Sequence, residues 1–442
     1  MQQRHCPQSR VTVGRPISAV FFTFALSAAA AATLGCSTSG SDGQGGQGGS
    51  GSGMGGGNGT AGASGGGTGG TAGRGAAGAS GGGTGGAGVA GSSGSGGAPG
   101  GTGGMSGGDA GMGDCMTPPP ASQLVGWAAM HPMNPNGTTG GGSVAPTMVT
   151  TTAAFNTNAG GTATRVLYVM GSLTGNFTVG SNKTIVGLCG ASLHGHVEMN
   201  GSVNVIFRNL TVVGYGVGNC ALDPSFDPTV GCSSGADAIS VVGGAQRLWI
   251  DHCDISDGTD GNLDITNGSD MVTVSWTKFH YTARTDNGGN DSSGASGHRF
   301  SDLVGGGDNV PGDAGKLNVT WHHDWWADRV SERQPRVRYG KNHIFNNLYS
   351  GSGDDYCVRA GMNAQLLVEN NAFINVSNPQ QFNSTVDQGT SFITANNNLY
   401  TGVTGSRSTG GGGTAFTMPP YTYMLDDTAG LQAAIMAGAG PQ

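Results

Sequence analysis

The chain has 442 residues, 88 of them glycine, and its 27 acidic and 19 basic side chains give a formal net charge of −8. That balance offers no basic footprint for nucleic acid, so no nucleic-acid partner is expected. The sequence also lacks a Ser-His-Asp arrangement and a phosphate-binding glycine loop with its lysine, which removes two large enzyme classes.

Three pieces differ in composition. Residues 1–36 carry Arg4, Arg10 and Arg15, then an apolar run from Ile17 to Leu34 that ends at Gly35-Cys36. This is the layout of a secretory signal. Its end resembles a bacterial lipoprotein signal, whose cysteine becomes the lipidated first residue, although Thr33 departs from the usual Leu. Plain secretion and an uncleaved anchor are the alternatives, and all three place the remainder outside the cytoplasm, secreted or lipid-anchored at the outer surface. Residues 37–113 hold 39 glycines in 77 positions, and Gly62–Gly70 recurs word for word at 78–86. With almost nothing large to bury, residues 37–114 are expected to be a disordered tether spanning on the order of 50 Å.

Residues 115–442 are expected to form one domain, large enough for a substantial core. It holds Cys115, Cys189, Cys220, Cys232, Cys253 and Cys357, and an exported chain permits disulfides. Six cysteines allow 15 pairings; Cys220–Cys232, in one Gly/Asp/Pro-rich loop, is the favoured local pair.

Helical periodicity is absent until the last dozen residues. Short apolar strands instead recur, each closing on a polar landmark: Asn209, Asp254, Lys278, Asp324, Asn347, Asn371 and Asn398. Their spacings are 45, 24, 46, 23, 24 and 27 residues, near one or two periods. Such a repeat marks a solenoid. Without intervening helices, the expected fold is an all-β, right-handed, single-stranded parallel β-helix with one coil per period. A β-sandwich would show hairpin turns more often. Repeated asparagines could then stack along the axis, and segments 214–236 and 283–316 would project as loops beside a long lateral groove suited to an extended polymer.

Asp237, Asp260 and Asp264 sit about one coil apart and could meet on one face. Hard oxygen ligands without His or Cys suit Ca²⁺, while each aspartate alone reads as a turn cap. In Trp249-Ile250-Asp251-His252, strict alternation would turn one of Asp251 and His252 inward, and a structural histidine is the preferred reading. Further on, Arg329, Arg333, Arg336, Arg338 and Lys341 crowd into 13 residues of an acidic chain. Alternation puts Arg336 and Arg338 on one side of a strand. A polyanionic partner and a solvated basic edge both fit.

In order and spacing, several segments together resemble the pectate lyases of polysaccharide lyase family 1. They are Val125-Gly126-Trp127-Ala128-Ala129, Asn204–Leu210, Trp249–His252 and above all Arg333-Gln334-Pro335-Arg336-Val337-Arg338. The resemblance spans roughly residues 123–440. It implies a right-handed parallel β-helix, Ca²⁺ held by Asp237, Asp260 and Asp264, and polygalacturonate or pectin as the substrate partner of a monomer. It further implies Arg333 as the base that removes the C5 proton, Arg338 as a substrate-carboxylate ligand, and β-elimination to a 4,5-unsaturated product. Arg336 joins the substrate-binding set. A free arginine is a poor base, and neighbouring cations would be needed to favour its neutral form. The sequence departs from the family where a substrate-binding Lys is usual: Phe300 occupies that place, and Arg299 is the expected surrogate, with Arg284 the alternative. A pectin lyase on methylated chains and a non-catalytic polysaccharide-binding β-helix are the competing functions.

Overall fold

The structure, a computed structural model, describes residues 115–130, 137–216, 227, 236–282, 299–351, 354–383 and 390–442. The export signal, the whole tether, Cys220, Cys232 and Arg284 lie outside the described residues.

Among the described residues, 23 strands join one continuous parallel sheet, as a β-helix requires. Each full coil contributes three strands, so the sheet wraps into three faces. The first face stacks Val203–Arg208, Gln246–Asp251, Asp270–Ser275, Val319–His322, Lys341–Phe345, Gln365–Glu369 and Phe392–Asn396. The second face runs from Thr211–Val213 through Asp254–Ser256, Lys278–His280, Trp325–Trp326, Leu348–Tyr349 and Ala372–Ile374 to Leu399–Thr401. The third stacks Ile239–Val242, Leu263–Ile265, Asp302–Val304, Arg336–Val337, Val358–Ala360 and Gln380–Phe382.

Alternation along each strand sends one set of side chains into the cylinder. Phe207, Ile250, Val274, Trp321, Ile344 and Val368 meet there from successive first-face strands. From the second face, Phe279, Trp326, Tyr349, Phe373 and Tyr400 form an aromatic column with ring centroids 4.3–5.6 Å apart. The close parallel stacking follows from one residue per coil sharing one register.

Polar residues form a second column at the corner between the first two faces. Asp324, Asn347, Asn371 and Asn398 each accept, on a side-chain oxygen, the backbone N–H one coil earlier, at 2.8–3.0 Å. Each of these rungs thus satisfies a buried donor of the one before it. The expected asparagine stacking is present, but its register differs at the N-terminal side: Cys253 and Thr277 occupy the column rather than Asp254 and Lys278. One position earlier stand Asn209, His252, Trp276, His323, Asn346, Asn370 and Asn397, all with positive φ between 48° and 59°. That left-handed residue turns the chain at every coil and breaks the alternation. Asp251 and His252 therefore both lie outside the core, with Ile250 and Cys253 as the inward pair. His252 is structural: its Nδ1 meets Asp251 at 3.0 Å and its ring stacks on Trp276.

Three expectations change. The two long spacings are not two coils: Val205 pairs directly with Leu248 and Val272 with Val319, so each is one coil of greater length. Segment 283–316 is not wholly a loop, because Asp302–Val304 is a rung of the third face. A short helix, Thr152–Ala159, also escapes the periodicity reading. Thr151 caps it by accepting the Ala154 N–H, and Phe155 and Ala159 join the core. The expected C-terminal helix is present at Thr428–Gly438 and packs Leu431 and Ile435 on Leu348 and Ala372. Cys115 is bonded to Cys189, while Cys253 and Cys357 are free thiols in the interior.

Candidate active site

The third face brings the candidate site residues together. Its inward residues, among them Ile239, Leu263, Val304, Val337 and Val358, are core. Alternation leaves Ser240, Asp264, Leu303, Arg336 and Arg359 as an outward column, each beside the next across one rung. Asp237 precedes the first of these strands and lies level with Gly261. The face therefore changes along the axis: acidic at the Asp237 and Asp264 rungs, apolar at Phe300 and Leu303, basic at the Arg333 to Arg338 rung.

Gly261 makes the acidic end possible. A Cβ there would lie 3.0 Å from Asp237 Oδ1, 3.2 Å from the Ser301 carbonyl oxygen and 3.3 Å from Asp264 Oδ1. Three oxygens thus face one small space. Both carboxylate oxygens are buried and have no hydrogen-bond partner. Asp237 accepts from Ser240 Oγ at 2.8 Å through its other oxygen. Burial first, then the Asp260 charge, pushes the Asp237 carboxyl up to about 7. Burial, with Asp237 next, also raises Asp264 well above the usual carboxylate range. Carboxylates crowded and stripped of donors in this way are destabilised until a cation neutralises them. Among the described residues, no three His, Cys, Asp or Glu side chains already stand together as a finished metal cluster. The donor set itself, all hard oxygen, fits Ca²⁺.

The basic end faces these acids. Burial pulls Arg333 down, but Asp260, Tyr356, Asp264 and Glu332 outweigh it and hold the guanidinium above its ordinary range. Without a cation, the charges that act most strongly on Arg333 are therefore negative. Its guanidinium lies over the Phe300 ring, 4.3 Å from the centroid. Arg336 is lowered instead, by burial foremost and by Arg338, Arg333 and Arg359. Val337 is core, with Arg336 and Arg338 either side of it. Arg338 is already engaged, its Nε donating to Asp308 at 2.7 Å and its Nη1 to the Gly305 carbonyl at 3.0 Å. Arg299 stands beside Phe300 and accepts the Ser331 N–H on its backbone carbonyl.

Sequence reasoning missed Asp302. It is fully buried, accepts from Trp326 Nε1 at 2.5 Å and Ser301 Oγ at 2.9 Å, and its N–H donates to the Arg333 carbonyl at 2.6 Å. Burial raises it well above the usual range. Placing it required recognising a strand inside an apparent loop.

A family model described as pectate lyase matches residues 76–442. Pectate lyase B of Colletotrichum gloeosporioides is 34% identical over 316 residues, 69% of this chain and 83% of that protein. Pectate lyase A of Aspergillus niger is 34% identical over 328 residues, 71% of this chain and 86% of that protein. A pectate lyase from a Bacillus species, solved in complex with trigalacturonate, superposes with a TM-score of 0.56 at 21% identity over 72% of this chain and 98% of that one. The class is therefore a polysaccharide lyase built on a parallel β-helix. The chain belongs to the pectate lyase family, enzymes of pectin and pectate degradation.

Proposed function

We propose that this protein is a Ca²⁺-dependent pectate lyase that cleaves polygalacturonate by β-elimination, leaving a 4,5-unsaturated sugar at the new non-reducing end. The observation that carries the reading is the meeting of unpartnered carboxylate oxygens on Asp237 and Asp264 with the electrostatic reach of Arg333. Asp237, Asp260 and Asp264 would hold the cation, which when bound supplies positive charge to a uronate carboxylate as the neighbouring carbon loses its proton. Arg333 accepts that proton. Asp260 and Asp264 are among the charges that raise Arg333, so neutralising them moves it toward a usable base. Arg336, Arg338 and Arg299 bind uronate carboxylates, where a planar donor fork suits the anion. The trigalacturonate found with the Bacillus relative supports this substrate class. The enzyme acts as an exported monomer, held at the outer surface through Cys36 and its tether.

Ultraviolet absorbance of unsaturated product tests the reading. Polygalacturonate should yield product that a chelator abolishes and Ca²⁺ restores. Product formation indifferent to the chelator removes the metal from the account, and absence of product removes the lyase.

A further inference from the structure

The rung between the acidic and basic ends has a chemistry of its own. Its apolar side chains are Leu303, outward on the strand but only 6% exposed, and half-buried Phe300 just before it. Leu303 lies directly beside Asp264 on one side and Arg336 on the other. Phe300 bridges Glu332 and is half-buried beneath Arg333. Neither side chain can donate a hydrogen bond or oppose a negative charge. One rung on, the Arg338 guanidinium is partly spent on Asp308 and the Gly305 carbonyl. A polymer lying along this face thus meets a cation-seeking end, a basic end and, Arg299 apart, apolar side chains between them.

We propose that this middle rung takes a methyl-esterified uronate, so that the preferred substrate is partially methylated pectin rather than fully ionised polygalacturonate. The proposal rests on the lyase reading given above. A carboxylate set against Phe300 and Leu303 gains no donor from those two side chains, whereas a methyl ester there carries no charge and buries a methyl group. Discrimination of this kind comes chiefly from the unpaired polar group that the wrong substrate leaves behind.

The test measures kcat/KM, at fixed Ca²⁺, on pectins graded from zero to high methyl esterification. For the native enzyme, activity should peak at intermediate esterification. Phe300→Lys places a cation in the rung and should move the ratio of pectin to polygalacturonate activity at least tenfold toward polygalacturonate. Because both substrates share Arg333, a general loss of catalysis cancels in that ratio. A native activity that falls steadily from unesterified substrate upward overturns the proposal, and so does a ratio that Phe300→Lys moves by less than threefold. The graded series on the native enzyme decides the matter if the variant does not fold. Absence of unsaturated product from every substrate would instead sink the lyase reading.

Discussion

Two regions of this solenoid are built from buried polar residues, and they treat them oppositely. At the corner between the first and second faces, the Asn347 and Asn371 side chains both accept from and donate to neighbouring coils. In the third-face groove, Asp237 Oδ1 and Asp264 Oδ1 are buried without any donor. A satisfied polar column stabilises and specifies the fold. An unsatisfied one is costly to the fold and is retained for what it can bind. The contrast lies between the amide rungs and the paired groove carboxylates; a lone unpartnered oxygen does not mark a site, since Asp324 Oδ2 in the column has no partner either.

The contrast can be broken most sharply at Arg333. Arg333→Lys should lower kcat by roughly 10²–10⁴-fold, the usual worth of a general base, with polygalacturonate binding largely intact; retained turnover would free Arg333 from that role. Next comes Asp264→Asn. It should weaken Ca²⁺ binding by more than about tenfold, yet raise the melting temperature of the chelated protein at pH 8, because it removes a buried charge. A fall in melting temperature would put Asp264 with the structural residues. Asn347→Ala should do the reverse. It strands the Asp324 N–H and the Trp321 carbonyl, costing roughly 2–5 kcal/mol in a denaturant titration, at about 1–3 kcal/mol per orphaned group. Activity per folded molecule should stay unchanged.

The smallest effect is the pH dependence of the chelated protein. The folded state holds the Asp237 proton more tightly than the unfolded chain does, since burial and Asp260 raise it to about 7 from a usual value of 3.8. Its contribution to stability is complete below that usual value and is lost as pH rises through about 7. Melting temperature without metal should therefore drift downward over that window, and saturating Ca²⁺ should reverse the drift at the alkaline end. A flat profile would mean that Asp237 is solvated.

Much of this was legible because the repeat writes the same physics in each coil. Asn347, Asn371 and Asn398 stand 24 and 27 residues apart, since each bonds the next. The N-terminal coils hid the register because Cys253 and Thr277 fill the same place without an amide. The helix Thr152–Ala159 was invisible because only Phe155 and Ala159 of its residues are buried. In the groove, aspartates one coil apart and clustered arginines could be read directly. The sign of the field on Arg333 could not, because it depends on Asp260 and Asp264 from one coil and Glu332 from another. Asp302 was concealed by the length of the segment before it.

The most direct measurement of the central claim is Ca²⁺ calorimetry on the native protein and on Asp264→Asn, at pH 6 and pH 8.5. The account predicts a specific site in the native protein, tighter at pH 8.5 as the carboxylates shed their protons, and lost in the variant. Binding that is equal in the two proteins, or that tightens toward pH 6, would contradict it.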